Sequence, residues 1–227
     1  MRRKLAAIAA ALAVSTVLAP AAHANVYTEP GMPITVEHGD GTASRCTVGP
    51  LVILPEGDQA ILTSGHCGEN GDHVDFTVPH NAIPASQLDR RVDQRIDGIL
   101  HDYGLIRVFP GSVSSMIGGR YFQEGFLRMD EIDVLRRQPG GLEICSVGIT
   151  SGERCGPVVK VDFAVGEIVA DFDSAKGDSG GPVFVKNGDT SALVVGILMG
   201  YRLDATKDSV IIPIELTMNT YGLSIAR

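Results

Sequence analysis

Apolar, β-prone residues come in short runs along this chain, separated by Gly, Pro, Asn and Asp. The runs are Cys46-Thr47-Val48, Leu51–Leu54, Gln59–Leu62, Val74–Val78, Gly104–Val108, Val158–Phe163, Pro182–Val185, Leu193–Leu198 and Val210–Ile214. Segments of this length, rich in β-branched residues and separated by turn formers, predict the antiparallel strands of a sandwich or barrel. Only Ile214–Tyr221, which follows Pro213, predicts a helix, at the C-terminal end. The stretch Phe109–Phe126 carries Pro110, four glycines and three serines, and is expected to connect two halves. The predicted class is all-β.

The first residues follow a different pattern. Arg2, Arg3 and Lys4 precede the apolar run Leu5–Leu18, and Ala22-His23-Ala24 has the small-x-small form of a signal-peptidase site. Residues 1–24 therefore read as a signal peptide, with the mature chain beginning near Asn25 and secreted. No later segment is long enough to span a bilayer, so no membrane partner is expected after cleavage. Of the 227 residues, 203 remain, enough for one large β domain or two small barrels sharing an interface. We expect the halves at 25–118 and 119–227.

Removing the signal leaves 16 basic against 27 acidic residues, a formal charge of −11. That balance argues against nucleic acid or an anionic membrane as partner. Four cysteines in an exported chain read as two disulfides. Three connectivities are possible in principle; local spacing favours Cys46–Cys67, which flank two strand-like runs, and Cys145–Cys155, which enclose a hairpin-sized loop. No C-x-x-C pair is present, so no metal site is expected.

Three islands carry candidate chemistry, in this order: Thr63-Ser64-Gly65-His66-Cys67, Asp102-Tyr103-Gly104-Leu105, and Gly177-Asp178-Ser179-Gly180-Gly181-Pro182. A serine hydroxyl is a weak nucleophile at neutral pH. It needs a base in reach, and the base needs a buried acid that fixes its tautomer and stabilises its cation. Ser179 is expected as nucleophile, His66 as general base and then acid, and Asp102 as the orienting carboxylate. Gly177 lets the backbone turn so that its N–H and that of Ser179 face one cavity, an oxyanion hole. A lipase-type arrangement is disfavoured because its histidine comes last in chain order.

From about Cys46 to the C-terminus these motifs resemble the small secreted bacterial branch of the chymotrypsin-like serine proteases, the streptogrisin and alpha-lytic protease group. The likeness rests on the histidine motif, Asp102-Tyr103-Gly104-Leu105-Ile106, the Cys-x9-Cys loop from Cys145, Gly-Asp-Ser-Gly-Gly-Pro, and the ending Pro213-x7-Tyr221-Gly222-Leu223-Ser224. It implies two perpendicular six-stranded β-barrels with the active site in the cleft between them and an endopeptidase with a polypeptide substrate; no cofactor is expected, and the sequence does not fix the oligomeric state, for which a monomer is the expectation. It also supports the local disulfide pairing. The remaining histidines, His23, His38, His73, His80 and His101, match no catalytic motif and are expected in loops or on the surface.

The chain departs from that pattern at three places. Where the family usually has a serine supporting the catalytic aspartate stands Met199, and where it generally has a glycine beside the primary pocket stands Tyr201. Tyr201 is expected to narrow or close the pocket mouth. The third departure concerns Asp178, whose buried carboxylate needs a partner. The family's arginine after the first loop cysteine is replaced by Ser146, and Arg154 is the expected substitute. Asp173, six residues before Ser179, stands where trypsin-like members carry the pocket-floor aspartate, and Ser174 fits the same pattern. That reading implies cleavage after Arg or Lys; the alternative is that Asp173 is solvated or pairs with Lys176. A weakly active or inert member acting as a secreted binding module is the alternative for the whole chain.

Overall fold

The computed structural model describes residues 28–76, 86–201 and 208–227. The expected signal segment, His23, His80 and the end of the Val74–Val78 run lie outside them. The first half holds β1 (Pro33–Glu37), β2 (Ala43–Thr47), β3 (Leu51–Ile53), β4 (Gln59–Thr63), β5 (His73–Phe76), β6 (Ser86–Ile96) and β7 (Ile99–Val108). They pair in the order β3-β4-β7-β6-β5-β1-β2. β2 and β3 are two halves of one strand bent at Val48–Pro50, where ladder-like bonds persist: Val48 N–H to Met32 O, Gly49 N–H to Leu62 O and Leu62 N–H to Pro50 O. Counted as one strand, they close a six-membered barrel.

The second half holds β8 (Met116–Ile117), β9 (Tyr121–Phe126), α1 (Met129–Arg136), β10 (Glu143–Gly148), β11 (Gly152–Asp162), β12 (Glu167–Ala170), β13 (Pro182–Lys186), β14 (Ser191–Tyr201), β15 (Ser209–Pro213), α2 (Ile214–Tyr221) and β16 (Ser224–Ile225). The cycle β13-β10-β11-β12-β15-β14, closed by β13 against β14, is a six-stranded barrel. β9 joins the edge of β14 in parallel. The expected two-barrel, all-β class holds. The C-terminal helix has its expected bounds: it starts after Pro213 and ends at Gly222, whose left-handed φ of 65° lets its N–H and that of Leu223 both reach Met218 O. β16 then returns to pair with β3 of the first barrel.

Unbroken apolar runs belong to strands buried on both faces, and here one face meets a barrel interior while the other meets the opposite barrel. On β4, Ile61 packs into the first interior, whereas Ala60 and Leu62 join the cluster between barrels. On β7, Ile106 and Leu105 divide in the same way. On β14, Val195 and Leu198 fill the second interior while Val194 and Ile197 face the interface. Truncating the buried Ile or Leu side chains among these to alanine is expected to cost about 2–5 kcal/mol.

Several elements lie outside the sequence expectation, among them α1, β6 and the strands β1, β10 and β12. The helix α1 buries only Met129 and Ile132 among polar neighbours, so its apolar signal is thin. Its Glu131 carboxylate accepts the Arg128 N–H at 2.8 Å, half of a capping box. The long strand β6 is mostly polar because its outer half is exposed. The expected Phe109–Phe126 connection contains two strands, β8 and β9, of the second sheet.

Candidate active site

His66 sits on a single 3-10 turn, Gly65–Cys67, directly after β4. The turn is pressed against β6: a Cβ on Gly65 would lie 2.0 Å from Val92 O, so only glycine fits. The Cys46–Cys67 disulfide ties the other end of the turn to β2. Asp102 lies on β7, which pairs with β4, and its side chain is almost wholly buried. One carboxylate oxygen accepts the His66 backbone N–H at 2.8 Å and the other accepts His66 Nδ1–H at 2.8 Å. This fixes the tautomer that leaves Nε2 free to take a proton. The imidazole pKa is raised above its usual 6.5, first by the hydrogen bond to Asp102; burial opposes the shift, the Asp102 and Asp93 charges add to it, and Arg91 opposes it.

Ser179 occupies the turn before β13. Gly177 there has a φ of 101°, a left-handed conformation that favours glycine. Three carbonyls of the turn are held by threonines outside it. Lys176 O accepts from Thr150 Oγ1 at 2.9 Å, Gly177 O from Thr47 Oγ1 at 2.8 Å, and Ser179 O from Thr47 N–H at 2.8 Å. The N–H groups of Gly177 and Ser179 donate to no acceptor among the described residues. Thr47, next to Cys46, thus grips the turn at two points; the sequence reading passed over it, and adjacency to a disulfide cysteine was the only available signal.

The two loops meet at one atom. Leu198 O accepts both the Ser64 hydroxyl, two residues before His66, at 3.0 Å and the Gly180 N–H, one residue after Ser179, at 2.7 Å. Ser179 Oγ itself donates to Met199 O at 3.1 Å, not to His66. That carbonyl is presented by a bulge, because the register of β14 against β15 shifts between Leu198 and Gly200. β13 and β9 pair with β14 only as far as Ile197, so on that side its outer end presents an edge on which an extended peptide could pair.

Met199 brings no hydroxyl, and among the described residues Asp102 keeps only its two bonds from His66. Tyr201 ends β14 opposite Ser209 and is exposed. Asp173 is exposed and forms no ion pair with Lys176, while Ser174 turns inward to Ser209 Oγ at 2.9 Å. Both expected disulfides are present. Of the expected loop or surface histidines, His101 instead stands half-buried on β7 with its ring edge-on to Tyr103, and His38 bridges Asp72 and Ser44.

The expected Asp178–Arg154 pair does not form. The Asp178 carboxylate is buried and accepts three backbone N–H groups: Thr150 at 2.7 Å, Ser151 at 3.1 Å and Ala175 at 2.8 Å. These donors satisfy it without a cation. Arg154 points to solvent, with its guanidinium on Glu153 O at 3.1 Å.

No protein-family model matches this chain. No curated protein matches it by sequence either. Solved structures do. Protease A of Thermobifida fusca superposes with a TM-score of 0.62 at 23% identity, covering 87% of this chain and 97% of that one. A Nocardiopsis protease gives 0.62 at 20% identity, covering 87% and 98%. A chymotrypsin of Cellulomonas bogoriensis gives 0.61 at 22% identity, covering 88% and 99%. The chain therefore has the two-barrel fold of bacterial chymotrypsin-like proteases over most of its length.

Proposed function

We propose that this protein is a secreted serine endopeptidase that cleaves polypeptides through Ser179, His66 and Asp102 and an acyl-enzyme. The observation that carries this reading is the buried Asp102 holding both the main chain and Nδ1 of His66, with the Ser179 turn anchored to the same Leu198 carbonyl as the His66 loop.

A peptide pairing along Met199–Tyr201 brings its scissile carbonyl over Ser179, and the hydroxyl turns from Met199 O towards His66 Nε2. As Oγ attacks, its proton passes to Nε2 and the carbonyl oxygen becomes an oxyanion facing the N–H groups of Gly177 and Ser179. Those two donors contribute about 3–4 kcal/mol to such steps. His66 then protonates the departing amine, leaving an ester on Ser179. Water, deprotonated by His66, opens that ester and returns the hydroxyl.

Cleavage after Arg or Lys follows if the Asp173 carboxylate, which Lys176 does not neutralise, lines the primary pocket. Secretion follows from the signal-like residues 1–24 and is supported by two disulfides. The binding-module reading draws on the missing hydroxyl at Met199, on Tyr201 and on the resting Ser179–Met199 bond. Peptide hydrolysis by the mature protein that disappears in Ser179→Ala supports the endopeptidase; equal hydrolysis by both overturns it.

A further inference from the structure

β6 is irregular where it passes the His66 turn. Asp89 faces Leu105 and Val92 faces Tyr103, so Arg90 and Arg91 together oppose the single residue Gly104. This is a β-bulge, with Arg90 at a φ of 48°. The extra residue aims the Arg91 side chain at the turn that carries His66. Arg91 Nε donates to Gly65 O, the carbonyl just before His66, at 3.0 Å. Nη1 reaches Glu69, three residues after His66, at 3.2 Å, and Nη2 reaches Asp93 at 3.1 Å. The Arg91 backbone N–H is itself held by Asn70 Oδ1 at 2.7 Å.

One planar fork therefore spans the His66 turn from its first carbonyl to the residues that follow it, and is anchored from behind by an acid on the same strand. Lysine, a point charge without fixed donors, cannot make these three contacts together. We infer that Arg91 is a positioning residue for the His66 base, holding the imidazole at the distance that proton transfer from Ser179 requires. The inference rests on the triad reading above.

Arg91 also acts through charge. The groups facing His66 are Asp102 from β7, Asp93 and Arg91 from β6, and, around the cavity on its open flank, His38, Asp40, Glu69 and Asp72. Among the described groups named here Arg91 is the permanent cation, and it opposes the upward shift of the ring. Position and charge are separable by substitution: Arg91→Lys keeps the charge and loses the fork, whereas Arg91→Ala loses both.

The test is an NMR titration of the His66 ring in the wild type, Arg91→Ala and Arg91→Lys, joined to kcat and KM for peptide hydrolysis. The His66 midpoint is expected to rise in Arg91→Ala and to stay in place in Arg91→Lys. Both variants are expected to lose kcat with KM nearly unchanged, about tenfold to hundredfold, the scale of a small misplacement of a catalytic group. An unmoved midpoint in Arg91→Ala, or wild-type kcat in Arg91→Lys, overturns the inference. If Arg91→Ala does not fold, the kcat of Arg91→Lys decides alone. The titration needs no turnover, so it reads Arg91 even if Ser179→Ala hydrolyses like the wild type and the proposed function falls.

Discussion

Asp102 binds His66 twice, at the backbone N–H and at Nδ1, both at 2.8 Å, so one buried carboxylate sets both the place of the residue and the tautomer of its ring. A base held this way works only while neutral. The ring pKa lies above 6.5, first through that hydrogen bond. Activity is therefore expected to fall as pH drops through the raised value, putting the acid limb of kcat/KM above 6.5.

The same shift has a consequence for stability. A raised histidine pKa stabilises the fold fully below the unfolded value near 6.5, and the contribution is lost as pH rises through the folded value. Asp102→Asn is expected to cut turnover about 10⁴-fold. Its stability deficit against the wild type, measured by urea unfolding, is expected to be larger just below pH 6.5 than at alkaline pH. A deficit that grows with pH contradicts this.

Asp178 and Arg154 separate in the structure, and substitution should show it. Asp178→Asn swaps one acceptor oxygen for a donor that faces backbone N–H groups, at an expected cost of about 1–3 kcal/mol and with loss of activity. Arg154→Ala is expected to stay within about 0.5 kcal/mol of the wild type. The reverse ranking by thermal denaturation would restore the ion pair.

Thr47→Val keeps the shape and the backbone N–H but removes the hydroxyl that donates to Gly177 O and accepts the Ile149 N–H. The Ser179 turn then keeps one of its two Thr47 anchors. Turnover is expected to fall, by less than the roughly 10²–10³-fold of deleting an oxyanion donor outright, with KM little changed. Unaltered kcat would show that the turn holds itself.

Much of this was legible from pattern. The strand runs, the helix at Ile214–Tyr221, both disulfides and the three motif islands stand out because each depends on local spacing or on residues with few alternative uses. The rest depended on contacts distant in sequence. The grip of Thr47 joins positions 130 residues apart, and the partners of Asp178 are main-chain groups that carry no residue signature. β6 was hidden because exposed strands need no apolar alternation. Arg154 was misassigned because a cation looked necessary where three peptide N–H groups suffice.

The proposed specificity turns on Asp173 and Tyr201. With a carboxylate in the pocket, a peptide library should be cut after Arg and Lys, and Asp173→Ser should erase that preference more than it lowers turnover on small apolar residues. If Tyr201 caps the mouth, the wild type should be slow on every sequence and Tyr201→Gly should speed cleavage after large residues. Fast wild-type cleavage after Phe or Leu contradicts both.

The most direct measurement is covalent labelling of the mature protein with a fluorophosphonate, read by intact mass and peptide mapping, beside Ser179→Ala and His66→Ala. A single adduct on Ser179, absent from Ser179→Ala and nearly absent from the correctly folded His66→Ala, is the expected result. A wild type that is folded, disulfide-bonded and unlabelled, or that labels as readily without His66, contradicts an activated Ser179.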